Sequence, residues 1–114
     1  MIKPIRLSPS YAISSQLLPS DLADAKSAGF RTVLDVRYDD EDPGQPAFEE
    51  MARAADLAGI AIVHLPSASP PNDGQLREFV RLSLKLRKPV LAYCRSGDRA
   101  RQLWKLTELR RGNL

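Results

Sequence analysis

Short apolar runs alternate with segments of helical period through most of the 114-residue chain. The pattern predicts strands at 31–36, 60–65 and 90–93, and helices at 19–28, at 46–58, after Asn72 and at 99–111. Parallel strands that are joined through helices use right-handed crossovers, and the helices then cover both faces of the sheet. The alternation therefore predicts an α/β fold of three layers, with a mainly parallel central sheet flanked by helices.

The ends of the predicted helices carry residues that helix ends favour. Pro19 stands at a first helical position, and Gly29, Gly59 and Gly112 follow the last turns. Asn72 with Gln75 forms a capping box. The packed faces of the last two helices are predicted from their spacing as Leu76, Phe79, Val80, Ser83, Ala100, Leu103, Trp104 and Thr107. The first eighteen residues predict short edge strands.

Length and composition bound the class of protein. We expect one domain over 1–114, because the chain is long enough to bury a core and no repeat or linker divides it. One cysteine and the lack of a visible signal peptide or membrane-spanning run favour the cytoplasm. The net charge of +3 is spread among acidic residues without interleaved aromatics, which argues against nucleic-acid binding. With one Cys and one His we expect no metal, and no cofactor is implied.

The single cysteine, Cys94, follows the predicted strand 90–93 and precedes a short loop that contains Gly97. Loop N–H groups and the positive end of the following helix both stabilise negative charge on sulfur, and the thiolate is the nucleophilic form. Ligands of parallel sheets bind beyond the carboxyl ends of the strands. The sequence therefore predicts a cysteine nucleophile in an anion-binding loop.

The position of the arginine in this loop separates two chemistries. A cysteine phosphatase has arginine at the seventh position counted from the cysteine, but here that position is Ala100 and Arg99 stands at the sixth. The stretch 94–99 resembles the Cys-Arg-x-Gly-x-Arg loop of rhodanese-like sulfurtransferases. A tighter ring suits one sulfur atom on the thiolate better than a phosphoryl group with three oxygens. The spacing therefore favours sulfur transfer.

Several residues around the cysteine are predicted to meet an anionic substrate. Arg99 approaches the anion or braces the loop, and Arg95 meets substrate charge. Arg37 ends the strand 31–36 and points toward the same edge, either as an anion ligand or as an ion-pair partner. The remaining predicted substrate-binding residues are Ser96, Gly97, Asp98 and Ala100.

A phosphatase would also need an acid to protonate the leaving group. Asp73 is the carboxylate nearest to the Pro-rich loop 66–71, and it is the predicted proton donor. The alternative is that it stabilises the helix dipole, because a helix N-terminus favours an acidic residue. The acidic loop 39–42 is a solvated turn, a partner for the arginines of the cysteine loop, or an alternative source of the proton donor. His64 is predicted to be a packing residue.

Five stretches, 8–17, 28–33, 41–46, 63–66 and 89–97, resemble a small bacterial family of phosphatase-like domains. These domains occur alone or fused to metallo-β-lactamase-type hydrolases that act as persulfide dioxygenases. The resemblance implies a fold similar to dual-specificity phosphatases, a cysteine loop in the rhodanese register, and a persulfide dioxygenase as partner. It also implies a hydroxyl side chain after the loop arginine, where this chain has Ala100.

The leading hypothesis is that the Cys94 thiolate takes sulfane sulfur from a small anionic donor, such as thiosulfate or a persulfide, and passes it to an acceptor. The amides of 95–99 would stabilise the persulfide. Two alternatives remain open at this point. One is hydrolysis of a phosphate ester through a phosphocysteine, and the other is a non-catalytic anion-binding or regulatory domain.

Overall fold

The computed structural model describes residues 1–112, with side chains as far as Arg110. One five-stranded sheet forms its middle layer. In chain order the strands are β1 Ile5–Ser8, β2 Tyr11–Ser14, β3 Thr32–Asp35, β4 Ala61–His64 and β5 Val90–Tyr93. Their order across the sheet is β1-β2-β5-β3-β4, and every pairing is parallel except the antiparallel pair β1–β2. The predicted mainly parallel sheet is confirmed.

Helices cover both faces of the sheet. They are α1 Asp21–Ser27, α2 Phe48–Ala58, α3 Asp73–Ser83 and α4 Asp98–Gly112. Leu22 of α1 and Met51 of α2 belong to one apolar cluster, whereas Phe79 of α3 and Leu103 of α4 belong to another. Each cluster takes alternate residues of the central strands, because side chains of a strand point to opposite faces. The predicted α/β fold of three layers is confirmed.

The N-terminal strands differ from their prediction. β1 is an edge strand as expected, but β2 lies inside the sheet between β1 and β5. Its residues Tyr11, Ala12 and Ile13 are all at most 6% exposed. A strand that is buried on both faces carries a continuous apolar run. In this sequence the run is short and lies between serines, so it was not recognised as a buried strand.

The predicted faces of the last two helices are mostly correct. Val80 is 36% exposed, so it does not join the packed face of α3. Trp104 is half-buried against the cluster that contains Leu103. The first two helices begin two residues later than predicted, as helix ends often do.

The capping box at the start of α3 is present and reaches beyond the helix. Gln75 N–H donates to Asn72 Oδ1 at 2.8 Å, and Asn72 N–H donates to Gln75 Oε1 at 2.9 Å. The Gln75 amide also accepts from Ala68 N–H and donates to the Tyr38 hydroxyl and the Pro66 carbonyl. These bonds fix the loop after β4 beside the loop after β3, at the carboxyl edge of the sheet.

The central strand β5 brings Cys94 to that edge. Val90, Ala92 and Cys94 face the cluster of α3 and α4, and Leu91 and Tyr93 face the opposite cluster. Val36 N–H donates to the Tyr93 carbonyl at 2.9 Å, which keeps the ends of β3 and β5 side by side. Within residues 1–112, no helix combines the length and apolar character that crossing a membrane requires.

Candidate active site

Cys94 lies at the floor of the loop that joins β5 to α4, and only 1% of the residue is exposed. Its Sγ accepts a hydrogen bond of 3.1 Å from the N–H of Gly97, so this peptide group is turned inward. The N–H of Asp98 is used differently, because it donates to Ser96 Oγ at 3.3 Å. The loop therefore presents one main-chain donor to the sulfur, where the sequence predicted several.

Gly97 makes this geometry accessible. Its φ of +97° lies in the region that L side chains rarely adopt. A Cβ built there would lie 3.5 Å from the carbonyl oxygen of Ser14, at the end of β2. Glycine thus permits the turn that brings the N–H to the sulfur.

Arg99 reaches back from the first turn of α4 to the cysteine. Hydrogen bonds from its guanidinium to Glu41 raise the pKa of Arg99, and the nearby Cys94 acts in the same direction. Its side chain is 15% exposed. The arginine at the sixth loop position therefore lies beside the sulfur, within the site.

The acidic loop after β3 pairs with the arginines of the site. Glu41 bonds Arg99 through both oxygens, at 2.7 and 2.8 Å. Asp42 Oδ2 lies 2.7 Å from Arg37 Nη2 and 3.4 Å from Arg95 Nε. Of the interpretations left open for this loop, the structure shows the pairing with arginines.

The hydrogen bonds from Arg99 lower the pKa of Glu41 to about 2, further helped by Arg37 and the N–H of Tyr38. Glu41 is therefore ionised at neutral pH and holds no proton to give a leaving group.

Arg37 is 2% exposed and so is more deeply placed than the sequence indicated. Its guanidinium bonds Glu41, Asp42 and the side chain of Gln16. It acts on the site mainly through these carboxylates, in agreement with the ion-pair interpretation of its position.

The other predicted loop residues face in different directions. Arg95 is exposed over 74% of its side chain, so it is accessible to a solute even though its Nε lies near Asp42. Ala100 is fully buried in the apolar cluster, and its carbonyl accepts a bond of 2.8 Å from the Tyr11 hydroxyl. Its side chain therefore packs in the core and does not line the site.

Asp73 lies away from the cysteine. It forms an exposed ion pair of 2.7 Å with Arg110, and this partner lowers the pKa of the Asp73 carboxyl. Arg110 stands twelve residues after the start of α4 at Asp98, which is about 18 Å along a helix. The geometry supports a role at the start of α3 and not the role of proton donor.

Gln16 and Asp35 support the site, and the sequence analysis did not single out Gln16. Gln16 follows β2, and its N–H donates to the Arg95 carbonyl at 3.3 Å while its side chain accepts from Arg37. The feature that could have identified Gln16 is its position just past the carboxyl end of a parallel strand. The prediction of β2 as an edge strand gave no reason to consider that position. Asp35 is 1% exposed, and its carboxylate accepts from the Arg37 N–H at 2.9 Å.

Burial raises the pKa of Asp35, partly offset by the Arg37 N–H and by the nearby His64. His64 itself stacks on Phe48 with ring centroids 4.6 Å apart, as a packing residue would. Across the part of the chain that the structure describes, no three His, Cys, Asp or Glu side chains cluster as metal ligands.

The chain is similar in sequence to curated bacterial proteins. A β-lactamase hydrolase-like protein of Agrobacterium fabrum is 29% identical over 114 residues, which are 99% of this chain and 26% of that relative. The chain therefore spans about a quarter of the length of that relative.

Solved structures share the fold. A candidate phosphatase from Neisseria meningitidis Z2491 superposes with a TM-score of 0.83 at 30% identity, over 91% of this chain and 75% of the other. TpbA of Pseudomonas aeruginosa, in complex with phosphotyrosine, superposes with a TM-score of 0.56 at 21% identity, over 81% of this chain and 52% of the other, and shows the fold alone.

The family model for the phosphatase-like domain of β-lactamase hydrolase-like proteins matches residues 5–110. The match includes every strand and most of α4, together with the cysteine loop and the acidic loop that pairs with it. The chain belongs to this family of phosphatase-like domains.

Proposed function

We propose that this domain hydrolyses small phosphate esters with Cys94 as nucleophile. The observation that carries the proposal is the hydrogen bond from the Gly97 N–H to Sγ, with the Arg99 guanidinium held near the same side chain by Glu41. A main-chain donor at the sulfur and a guanidinium close to it stabilise a thiolate and then the oxygens of a phosphoryl group bound to it. The family and the phosphatases that share the fold support this choice over sulfur transfer.

In the first step the thiolate attacks phosphorus, so that an S–P bond forms as the P–O bond to the leaving group breaks. Water then attacks phosphorus and releases inorganic phosphate and the thiolate. Arg99 and the Gly97 N–H hold the charge of the transferred group in both steps. Arg95, exposed at the rim, meets the remaining charge of the substrate.

The proposed substrate class rests on two carboxylates that were candidates for the proton donor, Glu41 and Asp73. Glu41 has a pKa of about 2 and Asp73 is paired with Arg110, so neither supplies a proton to the leaving group at neutral pH. Aryl esters, whose phenolate leaves with less need of protonation than an alkoxide, suit such a site. The phosphotyrosine held by TpbA is an ester of this kind.

The test compares an aryl with an alkyl ester. We expect hydrolysis of p-nitrophenyl phosphate that disappears in Cys94→Ser, and much slower hydrolysis of glycerol phosphate. Turnover that persists in Cys94→Ser, after purification to constant specific activity, would contradict the proposal.

Sulfur transfer is a second candidate, because the loop has its arginine at the sixth position, as rhodanese-like loops do. The seventh position, where a cysteine phosphatase has arginine, is Ala100, which is buried in the core. Mixing the protein with thiosulfate and cyanide tests it directly. Thiocyanate formed by the wild type and not by Cys94→Ser would favour this reaction, and its absence alongside ester hydrolysis would exclude it.

A further inference from the structure

Glu41 is bonded on all sides by the groups that surround the site. Its Oε1 accepts from Arg37 Nε at 2.9 Å and from Arg99 Nη2 at 2.8 Å. Its Oε2 accepts from Arg99 Nη1 at 2.7 Å and from the Tyr38 N–H at 2.9 Å. A carboxylate that accepts four hydrogen bonds is held in one orientation, and its bidentate pair fixes the plane of the guanidinium.

The contacts of Arg99 divide its guanidinium into two edges. The terminal edge, between Nη1 and Nη2, is taken by Glu41, and Nη1 also donates to the Ser67 carbonyl at 3.3 Å. Among the described residues, the carboxylate that pairs with Arg99 is Glu41, and it lies on the terminal edge, so that the edge formed by Nε and the second N–H of Nη2 is left without an ion pair. One edge is therefore anchored while the other is open to a ligand.

Arg99 stands one place earlier on the loop than the arginine of a cysteine phosphatase. One residue rotates the starting direction of a side chain by about 100° around a helix, so a contact that turns the guanidinium toward the sulfur has a clear purpose here. Glu41 can do this because Arg37, with 3% of its side chain exposed, holds the carboxylate from the other side.

We propose that Glu41 is a positioning residue, which holds the Arg99 guanidinium beside Cys94 so that its second edge binds the substrate anion. This deepens the proposed function and rests on it for the identity of that anion. The opposite model makes Glu41 a competitor that blocks Arg99 and leaves when substrate binds. The bonds from Arg37 and the Tyr38 main chain argue against release, since both would have to break.

The two models predict opposite signs for Glu41→Gln. The matched control is Asp40→Asn, which removes the same charge from the same loop. Asp40 is exposed, and asparagine tolerates its φ of 63°. Affinity for inorganic phosphate is measured by calorimetry. Solvent exchange of the Arg99 Nε–H is measured by NMR, with the signal assigned by its loss in Arg99→Lys.

For Glu41→Gln we expect the Kd for phosphate to rise at least about tenfold, in the range of one lost charge-assisted hydrogen bond. We also expect faster exchange of the Arg99 Nε–H, and kcat/KM on p-nitrophenyl phosphate lowered about 100-fold, mostly in kcat. Asp40→Asn should match the wild type in all three. In an Arg99→Lys background, Glu41→Gln should have little further effect.

Tighter phosphate binding by Glu41→Gln would establish the competitor model and overturn the proposal. Unchanged exchange of the Arg99 Nε–H would also overturn it, whatever the phosphate affinity. If Glu41→Gln does not fold, Glu41→Asp replaces it, because this variant keeps the charge but moves the carboxylate away from Arg99. It must then raise the Kd for phosphate, accelerate exchange of the Arg99 Nε–H and lower kcat/KM. If exchange accelerates as expected but the wild type hydrolyses no ester, the positioning role stands and the proposed function fails.

Discussion

The hydroxyl of Tyr11 donates a hydrogen bond of 2.8 Å to the carbonyl of Ala100, across 89 residues of sequence. Both residues are buried, and the Tyr11 ring meets Phe79 edge to face with centroids 5.6 Å apart. The bond ties the start of β2 to the first turn of α4, directly after the cysteine loop. It therefore sets where that helix begins relative to Cys94.

Tyr11→Phe removes this bond and keeps the ring. We expect the free energy of unfolding to fall by about 1 kcal/mol, since the Ala100 carbonyl loses one partner in the core. Urea denaturation monitored by circular dichroism measures the change. Tyr38→Phe is the control, because Tyr38 is 46% exposed and its hydroxyl bond lies at the surface; it should change stability by less than about 0.5 kcal/mol.

Gly97→Ala tests the turn that places the Gly97 N–H against the sulfur of Cys94. Gly29 has the same φ of +97° but lies far from the cysteine in sequence, with nothing within 4 Å of a built Cβ. Each alanine substitution should cost about 1–3 kcal/mol of stability for its backbone conformation. Only Gly97→Ala should lower kcat/KM beyond what its loss of folded protein explains. Equal kcat/KM per folded molecule in the two variants would show that the Gly97 turn is structural only.

The arrangement of strands and helices could be predicted because its signals are local. Each of these signals depends on residues within one or two helical turns. They are the spacing of the apolar residues, the glycine after α2 and the capping box of Asn72 and Gln75. The place of β2 inside the sheet depends on which strand it pairs with. Neither its length nor its serines carry that information.

The site was predictable only in part, for the same reason. Cys94, Gly97 and Arg99 stand within one loop, so their proximity follows from the chain itself. The bond between Arg99 and Glu41 joins residues 58 apart, and the sequence offered it only as one alternative. Asp73 is the reverse case, because the sequence placed a carboxylate in the expected segment but carried no sign of its ion pair with Arg110, 37 residues away.

Stability should depend on pH through Glu41. Its pKa falls from an ordinary value of 4.5 to about 2 in the folded protein, chiefly through Arg99. A depressed carboxyl pKa stabilises the fold above the unfolded value, and that stabilisation is lost as pH falls through the folded value. We therefore expect the urea midpoint of the wild type to decline between about pH 4.5 and about pH 2, where Glu41 takes up its proton.

The same titration on Glu41→Gln should give a flatter profile over this interval, whereas Asp40→Asn should follow the wild type. Other carboxyls with lowered pKa values, Asp73 and Glu78, are present in both variants and cancel in the comparison. Parallel profiles for wild type and Glu41→Gln would mean that the ion pairs of Glu41 contribute no pH dependence.

Asp73→Asn decides whether the carboxylate in the expected segment takes part in chemistry. A general acid contributes about 10²–10⁴-fold to the rate, so its removal would be conspicuous. Because Asp73 is bonded to Arg110 at the surface, we expect kcat/KM on p-nitrophenyl phosphate to stay within about twofold of the wild type. Arg110→Gln breaks the same ion pair from the other side and should behave alike. A loss of turnover in Asp73→Asn that Arg110→Gln does not share would return Asp73 to the reaction, and would require the start of α3 to move toward Cys94 when substrate binds.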